Sequence, residues 1–103
     1  MEKAYQFRDF FIPDYMMGAI TRYVEKGIPP GGFLTAVISN DLAGAVSRAD
    51  DTNIRNLPAY VGYFYNHLPS QCWGSPERMK RWTEERSREL AAKANADPEP
   101  LDS

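Results

Sequence analysis

The stretch "KGIPPGGFLTAVISNDLAGAVSRA", residues 26–49, holds two prolines and two adjacent glycines directly before the longest apolar stripe in the chain. Ile28-Pro29-Pro30 reads as extended backbone, because a residue preceding proline is pushed out of the α region. From Gly32 onward, Phe33, Leu34, Val37, Ile38, Leu42, Ala45 and Val46 recur at helical spacing. This predicts one helix of about 16 residues, ending at Arg48 or Ala49 and forming the centre of the core. Ser39, Asn40 and Asp41 then fall in mid-helix, where such residues cost tenths of a kcal/mol each. They read as a solvated face, with the alternative that Asn40 and Asp41 line a binding groove. Gly31 and Gly32 also carry two readings. As a connector, glycine supplies the torsions of a tight turn between helices. As a site, bare N–H groups at a helix start hold an anion that glycine lets come close.

On the N-terminal side, "PDYMMGAITRYVEKG" has Pro13 suited to a first helical position, Asp14 in the first turn and Gly27 as the C-terminal cap. Met16, Ile20, Tyr23 and Val24 share one face of that helix. Before it, Tyr5, Phe7, Phe10 and Phe11 follow no sustained period, which predicts an aromatic arm over residues 1–12 pinned by its rings onto an apolar surface, either its own core or a partner's. On the C-terminal side, Asp50 to Thr52 supply caps and Leu68-Pro69 a stop, but Pro58 lacks the N–H that a continuous helix needs. A kink or a restart at Pro58 follows. Val61, Phe64, Tyr65 and Leu68 form the core-facing set of this segment, with Tyr60, Tyr63 and His67 on a neighbouring strip.

A last helix starts at Ser75-Pro76-Glu77. Met79 and Trp82 point inward, whereas beyond Trp82 the next strong apolar residue is Leu90; with the i,i+4 pairs Glu77–Arg81, Glu84–Arg88 and Glu89–Lys93 along the helix, its second half is expected to project into water or pack on another subunit. The Asp/Pro/Glu-rich end, 95–103, reads as a disordered acidic tail. The expected fold is therefore all-α: a compact bundle of about four helices in one domain over 13–94, with a kink or break near Pro58.

Length and composition agree with one modest core: 103 residues, 43% hydrophobic, 25% charged. A single cysteine, Cys72, precludes an internal disulfide, and no secretory leader pattern opens the chain, so a reducing cytoplasm is expected. No apolar run approaches the ~20 residues of a membrane span. The net charge of −2 falls largely on the tail's Asp97, Glu99 and Asp102, leaving the rest near neutral, far from the basic footprint of a duplex-binding protein.

Reactive chemistry is sparse. One His and one Cys, without metal-ligand spacing, argue against zinc, and no phosphate loop, dinucleotide fingerprint or hydrolase elbow is present. Cys72 and His67 lack an evident orienting partner for nucleophilic catalysis. A non-enzymatic protein without catalytic residue, metal or cofactor is expected. Two site readings remain. Tyr5, Phe7, Phe10, Phe11, Trp73, Arg81 and Trp82 are residue types enriched at protein interfaces, pointing to a protein partner or self-association. Gly31, Gly32, Asn40, Asp41, Tyr60, Tyr63 and Arg78 are the set for an anionic nucleotide, held at the glycine pair or between subunits.

Three segments, "GIPPGGFLTAVISNDL", "RADDTNIRNLPAYVGYFYN" and "CWGSPERMKRW", carry a resemblance. Over roughly residues 20–82 the chain resembles a type of small accessory protein, of uncharacterised role, encoded by tailed bacteriophages and prophages. The resemblance implies a bacterial host cytoplasm and a stoichiometric role, either masking a host or phage protein, as in host-defence modulation, or sequestering a defence signal such as a cyclic nucleotide. It supplies no catalytic motif.

Overall fold

The computed structural model describes residues 3–96, with side chains over 4–94. Its elements are β1 (Lys3–Phe7), β2 (Phe10–Pro13), α1 (Asp14–Lys26), α2 (Gly32–Ile38), α3 (Leu42–Arg48), α4 (Asp51–Arg55), α5 (Leu57–His67), a 3-10 turn (Ser70–Cys72) and α6 (Pro76–Ala96). The all-α expectation of about four helices is corrected on both counts. Among the described residues, six α-helices accompany a two-stranded antiparallel sheet.

That sheet is the N-terminal stretch expected to be an arm. Phe7 pairs with Phe10 and Tyr5 with Ile12 across a two-residue turn in which Arg8 takes φ +56°. Its surface is the chain's own core. Phe7 lies over Gly62, where a Cβ would meet the ring at 2.8 Å, and Tyr5 stacks edge-on with Tyr63 and His67. Asn56 ties the hairpin to the α4–α5 junction by accepting the Phe11 N–H at 2.9 Å.

The single helix expected from Gly32 to Arg48 is two. Asn40 adopts φ +62°, the left-handed conformation that asparagine tolerates better than most side chains, and Asp41 caps α3 by accepting the Gly44 N–H at 3.0 Å. "SND" is thus a break, and the apolar stripe folds back so that α2 packs on α3. Pro58 marks a restart: α4 ends at Arg55, and Pro58 sits in the first turn of α5, where a missing N–H leaves no bond unmade.

Tyr23, Tyr60, Phe64, Ile12, Ile20, Ile38 and Cys72 are fully buried. Three polar side chains of the interior find partners across the fold. The Tyr23 hydroxyl donates to the Cys72 carbonyl at 2.6 Å, the Tyr60 hydroxyl to Asn53 Oδ1 at 2.7 Å, and Trp82 Nε1–H to the Val24 carbonyl at 3.1 Å. Burial raises the pKa of Tyr23 and Tyr60 and pushes the Cys72 thiol up to about 11.

α6 opens as its sequence predicts, with Ser75 Oγ accepting the Arg78 N–H. Met79 and Trp82 pack inward, and Gly27, the left-handed cap of α1, sits against the α6 backbone at Thr83. From Ser87 to Ala94 every residue is exposed. Among the described residues the ion pair on this helix is Arg86–Glu89 at 2.7 Å, rather than the i,i+4 pairs expected. The Arg86 guanidinium also covers the Trp82 ring at 4.4 Å. Residues 97–103, most of the expected tail, lie outside the described residues.

Candidate interaction face

The site is set by how α5 is turned. Spacing alone assigns Val61, Phe64, Tyr65 and Leu68 to the core. Only Phe64 of these is fully buried, and its companions are Ala59, Tyr60 and Gly62. The small residues Ala59 and Gly62 decide this phase, because they let the core and the hairpin come close, while Tyr60 reaches across to Phe33 with ring centroids 5.1 Å apart and bonds Asn53. Val61 and Tyr65 are consequently turned outward, 44% and 76% exposed, beside Leu42 of α3 at 68%.

Three adjoining surface hollows meet at Val61. One is walled by Val37, Leu42, Ala45 and Leu57, with Asn40 and Asp41 at its border. The second lies between Phe7, Pro58, Gly62 and Tyr65. The third holds Tyr65, Leu68 and Trp73, with Asn40 and Arg78 at its edge. Their walls come from the hairpin, α2, α3, α5 and the segment leading into α6, so one largely apolar, contoured face spans the domain. Contiguous apolar surface of this kind marks binding sites more often than isolated exposed side chains do.

The expected site residues divide around this face. Trp73 and Phe7 belong to it. Tyr5, Phe10 and Phe11 are half-buried in the hairpin and its contacts, and Trp82 is half-buried beneath Arg86. Arg81 is exposed on α6. The nucleotide set is not gathered in one place. Tyr60 is buried in the core, Tyr63 lies under Tyr5, and Asn40 and Arg78 share one hollow. Gly32 and Asp41 share another with Arg48, whose side chain would meet a Cβ on Gly32 at 3.0 Å, while Gly31 faces open space. An anion there meets the Asp41 carboxylate as well as the Arg48 guanidinium, and α2 offers only seven residues of aligned dipole.

No group of three or more His, Cys, Asp or Glu among the described residues can hold a metal ion. Cys72 is buried with its thiol held protonated, and His67 packs its ring against Tyr5 and Tyr63. Among the described residues no helix is long and apolar enough to cross a membrane. No family model matches the chain, and neither a curated protein nor a solved structure gives a significant match. The fold and its exposed face are therefore the basis for reading function.

Proposed function

We propose that this chain is a non-enzymatic binding protein that acts stoichiometrically through protein–protein contact, as an accessory factor of a phage or prophage in the bacterial cytoplasm. The observation that carries the reading is the apolar face centred on Val61. A folded domain that turns Leu42, Val61 and Tyr65 outward beside Leu57, Pro58 and Trp73 forgoes burial worth roughly 25 cal/mol per Å² of apolar area, which a partner recovers. Aromatic residues at the centre of such a patch, with polar groups at its edge, match the composition of binding hot spots. The buried thiol and the ring-packed histidine lend no support to a catalytic reading.

The experiment is affinity capture and native mass measurement of the tagged chain from infected and uninfected host lysates, wild type against Val61→Glu. The expected result is a complex of fixed stoichiometry that Val61→Glu removes while its melting curve stays near wild type, because Val61 is exposed. Recovery of no stoichiometric complex, with itself or any other protein, would end this reading.

A further inference from the structure

We propose that the occupant of the Val61 face is a second copy of this chain, related by a two-fold axis that passes near Val61 and Asn40. The inference rests on the reading of that face as a binding surface and names its partner. It is carried by the placement of charge. Among the described residues, Asp41 and Arg78 are the only charged side chains that line the three hollows, and they stand in different ones. Val61 and Asn40 line both the hollow bordered by Asp41 and the hollow bordered by Arg78. The apolar ground between the two charges is therefore shared.

An isologous interface needs a patch complementary to itself: where residue i meets j, j must meet i. A patch with a carboxylate on one side, a guanidinium on the other and apolar surface between meets that condition. Rotation by 180° about the shared ground sets each Asp41 against the partner's Arg78 and returns the same contact on the far side, while Val61 and Tyr65 face their own counterparts. A heterologous partner requires no such balance. Neither charged group is in an ion pair among the described residues. Asp41 Oδ1 accepts the Gly44 N–H, Oδ2 lies close over Gly44, and each carboxylate oxygen has capacity for more than one donor. Arg78 Nη1 donates to the carbonyls of Ser70 at 3.2 Å and Trp73 at 3.4 Å, which ties the side chain to the segment leading into α6 beside its hollow, and the guanidinium carries further N–H donors on Nε and Nη2. The fork geometry of a guanidinium suits a carboxylate there.

Charge exchange tests the arrangement. By sedimentation equilibrium the wild-type chain should reach twice its 11.7 kDa mass. Arg78→Glu opposes two carboxylates at each contact, and Asp41→Lys opposes two cations, so each variant alone should dimerise at least about tenfold more weakly. An equimolar mixture of the two restores opposite charges at both contacts and should recover dimer, as a heterodimer. Asp41 also caps α3, so a second arm keeps the cap: Asp41→Asn is an equally good cap without charge, and adding it to Arg78→Glu should strengthen association relative to Arg78→Glu alone. Val61→Glu should abolish the dimer in every background. A chain that stays monomeric, a dimer indifferent to Val61→Glu, or weakened variants that neither mixing nor Asp41→Asn rescues, would overturn the proposal. If the chain is monomeric by itself yet loses a stoichiometric partner on Val61→Glu, the dimer is discarded and the binding reading stands.

Discussion

Replacing Gly27 with alanine should be the most damaging single-methyl change in the α1–α2 connection, for two reasons that add. Gly27 holds φ +71°, where an L side chain costs about 1–2 kcal/mol. Its added Cβ would also stand 2.6 Å from Arg86 Cβ and 3.0 Å from the Thr83 carbonyl oxygen. Neither is the free end of a flexible chain: both belong to the α6 scaffold, so relief requires moving a helix held by Trp82. Forcing a methyl into such a contact costs a further ~1–3 kcal/mol. The sum is about 2–5 kcal/mol, a large share of the ~5–15 kcal/mol typical of a whole domain. At ~4–8 °C per kcal/mol for this size, the midpoint should fall by roughly 8–40 °C in thermal unfolding followed by far-UV circular dichroism. Gly31→Ser is the control four residues away. Gly31 sits at φ −70° with open space around it and caps α2 without a side-chain bond, so serine should leave the midpoint unchanged or raise it slightly. If Gly27→Ala melts like wild type, or if Gly31→Ser falls as far, the packing of the α1 cap on α6 is not what holds this region.

Alkaline pH should destabilise the fold in a defined order. The pKa of Cys72 is raised from 9.0 to about 11 in the folded chain, so the unfolded chain loses that proton first; stability is level below about pH 9 and declines towards pH 11, by on the order of 2–3 kcal/mol from this thiol. Tyr23 and Tyr60, raised in the same direction, steepen the decline above pH 10, and Cys72→Ala should move the onset of loss upward in urea titrations across this range. Tyr60→Phe removes the hydroxyl that satisfies buried Asn53 Oδ1 and should cost ~1–3 kcal/mol in the same urea assay. The buried thiol should react with a chromogenic disulfide reagent only at the rate of unfolding, and guanidinium chloride should make it react at once. A panel of cyclic mono- and dinucleotides should leave the melting temperature unchanged, since the residues that would form their site are dispersed; a concentration-dependent rise would restore the nucleotide reading.

Local signals decided several of the element boundaries. Gly27 as a left-handed cap, Asp50 accepting the Asn53 N–H and Ser75 accepting the Arg78 N–H are each legible because a cap depends on residues within three or four positions. The inward faces of α1 and early α6 were legible for the same reason. Asn40-Asp41 shows the limit: both residues have the chemistry of a break, but the apolar stripe runs through them unchanged in period, so only the packing of α2 on α3 reveals that the chain turns back. The hairpin lacks the Asn-Gly or Asp-Gly turn that announces such a structure and is held by α5 instead, through Phe7 on Gly62 and Asn56 on Phe11. The interaction face was the least legible part. Period marks which residues of α5 share a side, but apolar or aromatic residues lie around most of that helix, and periodicity cannot rank its sides. The choice fell to tertiary contact, where the smallness of Ala59 and Gly62 and the reach of Tyr60 to Asn53 outweigh the hydrophobicity of Val61 and Tyr65 and turn those two side chains outward. Local composition thus determined the end of α1 and the starts of α4 and α6, whereas the break between α2 and α3 and the side of α5 left uncovered were decided by packing between segments of the folded chain.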